Sequence, residues 1–539
     1  MQLETLDATI RDYINNYINE IKKDYEQEIH KLKTDVIEYQ NKYLEIKERY
    51  DLLVYKRFGQ SAERLIASEE QLLLFTVESK KTETPSEYDS DEYKEYTEVK
   101  SHKRNKSGRK PIDQKLRREE IIIDIPESEK TCTCGAKLSQ IGEECSEKLQ
   151  IIPPRIFVER TVRPKYACRC CEGTATEGKA KTVRIAPVEP SIIPRSIASP
   201  SLLSTIITQK FELHLPYYRQ EKQFKGIGVT ISRQDMSNWQ QKAYKVLTPL
   251  CALLKEAVKS GPVIQMDETT VQVMGEEGRE DTQKSRMWLA RGGPPGRTVL
   301  WYEYHETRAA SNAQTFLRGY SGYLQTDGYE GYDAAVKELP GIIHAGCFAH
   351  ARRYFFEAAK VAPNKNPAQP SYAEEGMDHI KKLYVIEKAL RSRYRLDDQA
   401  KIFLRVRQLC AFRPLKEFKE WLEKLNDEVL PTSLLGKAIY YSLSQWDKLV
   451  LYLKSPYLTP DNNACENAIR PFVLGRKNWL FCQSPDGADS SCGMFTLIET
   501  AKQNGLVPFQ YLMTVFEKAP RANSPEDWEK LLPWNIFTA

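Results

Sequence analysis

A chain of 539 residues, 41% hydrophobic and 28% charged, is too long for a single core and reads as a folded protein of three or more domains. No run approaches the roughly 18 apolar residues of a membrane span, and Met1–Asp7 has none of the pattern of a secretory leader, so a cytoplasmic chain with no membrane partner is expected. The net charge of +5 excludes little, and twelve cysteines in a reducing compartment are read as thiols or metal ligands rather than disulfides.

Residues 8–58 contain neither Gly nor Pro. Ile18, Tyr25, Leu32, Tyr39, Ile46 and Leu53 recur every seven residues, with Ile29, Val36, Tyr43 and Tyr50 at the alternate positions. That 3-4 spacing predicts a long helix with one apolar seam, a coiled coil over 1–58 that pairs protomers. A helix folded back on its own domain is the alternative. Residues 59–112 read as a charged linker: residues 83–98 hold seven acids against one Lys, and 100–118 hold nine Lys/Arg against one Asp. Its basic end, Lys103–Lys110, suits either DNA phosphates or a solvated tether.

A cysteine module is expected over 113–190. Cys132 and Cys134 are separated by 33 residues, including a strand-rich segment (Lys148–Tyr166), from Cys168 and Cys171. Two knuckles closing a hairpin are the geometry of a structural Zn²⁺ site. The single residue between Cys132 and Cys134 is tighter than usual, which leaves Cys145 and Cys170 as substitute ligands and unmetallated thiols as the rival reading. Residues 191–258 read as helices, Leu202–Leu213, Pro216–Lys225 and Ser232–Lys245, with the last capped by Ser232 and Asp235. A Gly-containing turn before a capped helix is compatible with a helix-turn-helix, whose groove-facing residues would be Arg233, Gln234, Ser237 and Asn238. A helical hairpin that never meets DNA has the same pattern.

After Gly261 the pattern changes to short strands: Val263–Asp267, Met287–Arg291 and Thr298–Tyr304. A helix (Ala309–Tyr320), a strand ending at Asp327, a helix (Gly331–Leu339) and a strand (Ile342–Cys347) follow. Three strands in a meander, then alternating helix and strand, predict a mixed α/β sheet of ribonuclease-H-like topology over 259–350. Its first and fourth strands would be neighbours, bringing the strand-end acids Asp267 and Asp327 together, with Glu268 on the opposite face. Residues 351–456 read as a helical insertion, and 457–515 as the last part of the core before a tail, 516–539. A helix starting at Pro460 with Asp461 as N-cap would carry Glu466 and Arg470 one turn apart, either a surface ion pair or part of a site. The basic and aromatic stretch Arg476–Phe481 favours a site. Asp267, Asp327 and Glu466 can together hold two Mg²⁺ or Mn²⁺ ions for phosphodiester chemistry. Arg470, Arg476 and Lys477 would meet phosphates, and Trp479 would stack on a base or sugar.

These motifs carry a family resemblance. Gly108–Pro111, the cysteine pairs with Val162–Tyr166, Leu215–Gln220, Met266–Thr269, Thr326–Tyr329, Gly346–Arg352, Asp461–Asn463, Glu466–Phe481 and Leu531–Trp534 together resemble transposases of the insertion sequence 66 family, bacterial DDE enzymes. The resemblance spans most of the chain and implies a catalytic triad at Asp267, Asp327 and Glu466, with Cys347 and His350 matching a Cys-x-x-His element after the second Asp. It implies Mg²⁺-dependent cleavage at element ends and transfer of the freed 3′ ends into target DNA. It also implies binding to the terminal inverted repeats, a homodimer or higher oligomer, accessory proteins of the same element and a nucleoid location. A nuclease that cuts without joining, and a DNA-binding regulator without catalysis, are the rival functions.

Overall fold

The computed structural model describes residues 8–58, 156–167, 183–361 and 370–536. The chain divides into two units: residues 1–80 with 189–539, and residues 81–188. In the smaller unit, β1 (Lys165–Ala167) pairs antiparallel with β2 (Val183–Ile185), and Arg163 Nη1 donates to the Ala186 carbonyl at 2.9 Å. Of the strand expected within Lys148–Tyr166, the described residues 156–164 carry none. Cys132, Cys134, Cys145, Cys168, Cys170, Cys171 and the basic run Lys103–Lys110 lie outside the described residues.

In the larger unit, α1 (Ala8–Phe58) is one unbroken helix, as the absence of Gly and Pro predicts. Lys42–Glu38 (2.6 Å) and Arg49–Glu45 (2.7 Å) pair one turn apart on its surface. The seam residues Leu32, Val36, Tyr39, Tyr43, Ile46, Tyr50 and Leu53 are 53–72% exposed. Three helices follow: α2 (Pro200–Phe211), α3 (Tyr217–Gly226) and α4 (Arg233–Lys259). Ser232 caps α4 as expected, its Oγ accepting the Asp235 N–H at 3.0 Å. The helix does not stop at Lys245. Leu247, Leu250, Cys251, Leu254 and Val258 continue the apolar stripe into the same core as the sheet, and the helix runs on through Pro249 to Lys259.

The sheet has five strands: β3 (Val263–Gln272), β4 (Lys284–Gly292), β5 (Val299–His305), β6 (Gly322–Gln325) and β7 (Ile342–Ala345), in the order β5-β4-β3-β6-β7. β3, β4 and β5 form an antiparallel meander, and β6 and β7 run parallel to β3. The first and fourth strands of the sheet are therefore neighbours, as expected. α5 (Ala310–Leu317) connects β5 to β6, and α6 (Glu330–Lys337) connects β6 to β7. The β5 edge is not left open. The N–H groups of Leu300 and Tyr302 donate to Thr500 (3.1 Å) and Thr496 (3.0 Å) of α13 (Pro485–Gln503), and Asn504 Nδ2 donates to the Thr298 carbonyl at 2.8 Å. A helix thus supplies the partners that a further strand would have supplied.

Residues 348–454 form a helical layer with its own core: α7 (Phe348–Val361), α8 (Tyr372–Arg393), α9 (Leu396–Glu428), α10 (Leu434–Ser444), α11 (Trp446–Leu449) and a 3₁₀ turn, Val450–Lys454. Phe348, Phe355, Ile380, Phe418, Leu422 and Trp446 fill it, and Val263, Tyr323 and Ala345 join it to the parallel side of the sheet. Inside this layer Arg407 is fully buried. It pairs with Glu387 at 2.6 Å and donates to the carbonyls of Tyr452 (2.7 Å), Ser455 (2.9 Å) and Leu458 (3.2 Å). It therefore ties down the segment that leads to α12 (Asn463–Trp479), the helix carrying Glu466. Two further helices, α14 (Pro508–Lys518) and α15 (Pro525–Glu529), complete the unit.

Candidate active site

β3 and β6 are of unequal length, and this creates the site. β6 pairs with β3 only over Val263–Gln265 and ends there, while β3 continues against β4 to Gln272. Asp267 is therefore not at a strand end but in mid-strand, opposite Leu289, at the point where its parallel neighbour has stopped. Thr269, Thr270 and Gln272 stay in the strand, with the buried Val271 between them, because the antiparallel ladder to β4 satisfies their backbone. The start of α12 fills the gap left by β6. Asn462 Nδ2 donates to the Met266 carbonyl at 3.0 Å, and Cys465 Sγ lies 3.6 Å from the Gln265 carbonyl. Asn462, not Asp461, is the N-cap position of this helix; Asp461 acts one residue earlier, accepting the Asn463 N–H at 3.0 Å and its side-chain amide at 2.9 Å.

The loop after β6 presents Asp327, whose Oδ1 accepts the Tyr329 N–H at 3.1 Å in a local turn. Gly328 follows against the ring of Tyr441, where an added Cβ would stand 2.7 Å from it. This close approach presses the Asp327 loop onto α10. Two residues before each of these acids stands a buried glutamine. Gln265 Nε2 donates to Gln325 Oε1 at 2.9 Å, and Gln325 Nε2 donates to the Thr459 carbonyl at 2.7 Å. The three acid-bearing segments are thus bonded to one another through backbone and amide groups.

The electrostatics agree with that proximity. Burial raises the Asp267 carboxyl to about 7, and Glu268, Glu466 and Asp327 add to the shift by repulsion. Its Oδ1 accepts the Glu268 N–H at 2.9 Å. Glu268 itself is engaged elsewhere, with Arg308 and with the Tyr332 hydroxyl (2.6 Å). Glu466, on the first turn of α12, does not pair with Arg470, which is exposed. Its Oε2 meets Arg353 of α7 at 3.2 Å, while Oε1 faces His350 Nδ1 at 3.7 Å, and neither of these two buried atoms has a hydrogen bond. Carboxylates on three segments that repel one another suit a hard divalent cation, and such an ion would relieve the raised Asp267 and the orphaned Glu466 oxygen. Among the described residues, however, the three groups whose donor atoms all lie within 4.8 Å of one another are Cys347, His350 and Glu466, not the three acids.

The expected DNA-contacting residues divide into two sets. Arg470 and Lys477 are exposed on α12. Arg476 is half-buried and donates to Thr270 (2.9 Å) and Thr269 (3.3 Å) on β3, two residues beyond Asp267. Trp479 is not presented for stacking. It packs edge-on to Phe211 (6.2 Å) and against Phe495 (6.3 Å), over Gly475, where an added Cβ would stand 2.1 Å from the indole. A Gly four residues before a Trp on one helix was the available signal for this packing. On α4, Arg233, Gln234 and Asn238 are exposed, with Gln234 donating to Asn238 at 3.0 Å, and Ser237 is half-buried. Arg353, Gln265 and Gln325 carry no motif in the sequence that points to them.

Residues 195–490 match the transposase IS66 family, residues 129–172 the zinc-finger binding domain of transposase IS66, residues 496–534 the IS66 C-terminal element, and residues 45–121 the transposase C of IS166 homeodomain. These four matches, the first over more than half of the chain, define the class of protein as a transposase. The chain belongs to the IS66 transposase family. Similar proteins from Sinorhizobium fredii (strain NBRC 101917 / NGR234) include the uncharacterized protein y4hP, 32% identical over 455 residues, 81% of this chain and 78% of the relative. The uncharacterized protein y4jD is 30% identical over 435 residues, 79% and 81% of the two chains. The match to residues 129–172 covers Cys132, Cys134, Cys168 and Cys171, and the family implies DNA as partner. Among the described residues no helix is long and apolar enough to cross a membrane.

Proposed function

We propose that this chain cleaves DNA at the ends of an insertion sequence and joins the freed ends to target DNA, using Asp267, Asp327 and Glu466 as the acids of a ribonuclease-H-like core. The observation that carries the reading is the Asn462–Met266 bond of 3.0 Å, which seats the helix bearing the third acid beside the strand bearing the first. Two Mg²⁺ or Mn²⁺ ions held by these carboxylates would supply an activated attacking oxygen and charge stabilisation on the departing one. In the first step, water attacks phosphorus and the P–O3′ bond breaks, leaving a 3′-hydroxyl and a 5′-phosphate. In the second, that 3′-oxygen attacks a target phosphodiester, and the target's own 3′-oxygen departs. Arg470, Lys477 and the first turn of α4 would hold the DNA backbone, Arg476 would brace β3 beside Asp267, and the cysteine module would carry Zn²⁺. The exposed seam of α1 would pair protomers so that two ends are held together.

The test is incubation with labelled element-end DNA and Mg²⁺, reading both nicks and joined products. Asp267→Ala, Asp327→Ala and Glu466→Ala should each abolish both products while DNA binding stays within a few fold. Nicks without joined products would leave a nuclease. Neither product from the parent chain, with DNA binding equal in all three variants, would leave a DNA-binding regulator.

A further inference from the structure

One cluster near the acids has a different chemistry from theirs. Cys347 precedes the first turn of α7, His350 stands on that turn, and Glu466 reaches them from α12; their donor atoms lie within 4.8 Å of one another. His350 Nδ1 and Glu466 Oε1 are 3.7 Å apart, too far for a hydrogen bond, and both are buried without a partner. Two ligands of one tetrahedral ion, each about 2.0–2.3 Å from it, stand roughly 3.3–3.8 Å apart. A facing pair of orphaned donors at this separation is what one cation between them would satisfy.

From this geometry we infer a second metal site, in which Cys347 Sγ, His350 Nδ1 and Glu466 Oε1 bind Zn²⁺ and leave a fourth position open. Thiolate with imidazole selects a borderline-soft ion over Mg²⁺. The thiolate would have support already in place. The Asn462 N–H donates to Cys347 Sγ at 3.2 Å, and the start of α7 places its positive end beside the sulfur. Burial alone pushes the Cys347 thiol upward and the His350 imidazole downward; a bound cation reverses the first effect and exploits the second, since the ligand form of His is neutral. The partly exposed His350 (18%) and Glu466 (23%) side chains leave a solvent path to the fully buried sulfur. Occupancy would withdraw Glu466 from the other two acids, so Zn²⁺ and the Mg²⁺-dependent state compete for one carboxylate.

The inference rests on these three side chains and not on the transposition reading. The full chain is stripped of metal, reloaded with Zn²⁺ alone, dialysed, and its zinc counted per chain beside Cys347→Ser and His350→Ala, with far-UV circular dichroism confirming the fold. Zinc in the cysteine module is common to all three. The expected result is one fewer zinc per chain in both variants, and with Co²⁺ a sulfur-to-metal charge-transfer band weaker in Cys347→Ser by one thiolate. Equal zinc in the wild-type chain and His350→Ala overturns the site, whatever Cys347→Ser does. A chain that binds the extra zinc when loaded, yet without zinc at this site and with Mg²⁺ supplied never cuts DNA, would overturn the proposed function and leave this site standing.

Discussion

Gln265 and Gln325 face each other across the β3–β6 boundary and share a hydrogen bond of 2.9 Å, each standing two residues before an acid of the site. Both are buried, and the bonds continue to the Thr459 carbonyl, so one amide pair holds the two strands and the approach to α12 in register.

Gln325→Leu should therefore strand buried partners on two segments and cost about 1–3 kcal/mol. Gln265→Leu should cost a similar amount. The double variant should fall short of the sum by about 0.5 kcal/mol or more, because the second change removes a bond already lost. Denaturant unfolding of the three variants measures this, and strict additivity would show that the amides act independently.

Asp267 carries a pH signature. Its carboxyl is raised to about 7, chiefly by burial, whereas in the unfolded chain an Asp titrates near ~3.9. Between these values the folded chain binds a proton that the unfolded chain has released, so the metal-free fold loses stability as pH rises through that window. Asp267→Asn removes the ionisable group. Without divalent cations it should be more stable than the parent at pH 8 by on the order of 1–3 kcal/mol, with the gap closing toward pH 4. Unfolding in EDTA across this range checks the slope; a gap that widens toward acid would contradict it.

Arg407 and Glu387 form a buried pair at 2.6 Å. Arg407→Ala leaves Arg391 (2.7 Å) as the remaining partner of the buried Glu387 and frees the carbonyls of Tyr452 and Ser455, a loss of about 1–3 kcal/mol. Limited proteolysis should find new cleavage within residues 450–460 in Arg407→Ala, since that segment loses its tether.

The seam of α1 is exposed from Leu32 to Leu53, which suits a second copy of the same helix. Ile46→Glu with Tyr39→Glu should lower the oligomeric state in light scattering while leaving the thermal unfolding of the sheet-containing unit unchanged within about 0.5 kcal/mol. An unchanged mass would place the contact between protomers elsewhere.

Local patterns were enough to locate most of the secondary structure. The strand and helix order of 263–345 was legible because apolar runs alternate with Gly-rich turns, and that order alone makes the first and fourth strands neighbours. Strand length was not legible: Glu268–Gln272 is too polar to suggest a strand, and only pairing with β4 keeps it extended. The α12 boundary was misjudged by one residue because Asp461 and Asn462 are both good caps, and it is the distant Met266 carbonyl that decides between them. The partner of Glu466 lay beyond any local pattern. Arg470 is the neighbour on the same helix, whereas Arg353 is 113 positions away and reaches Glu466 only because α7 folds back beside α12. Trp479 shows the converse error, an aromatic beside basic residues whose ring the core had already claimed.

Asn462 and Met266 lie 196 positions apart, with the whole helical layer between them. At a synthesis rate of about 5–20 residues per second, roughly 10–40 s pass on the ribosome between the emergence of the first acid and that of the last. A product shortened anywhere in that interval keeps the amino-terminal helix and cysteine module but lacks the third carboxylate. On the proposed function, such fragments would occupy the same DNA without cutting it, and would blunt the activity of complete copies.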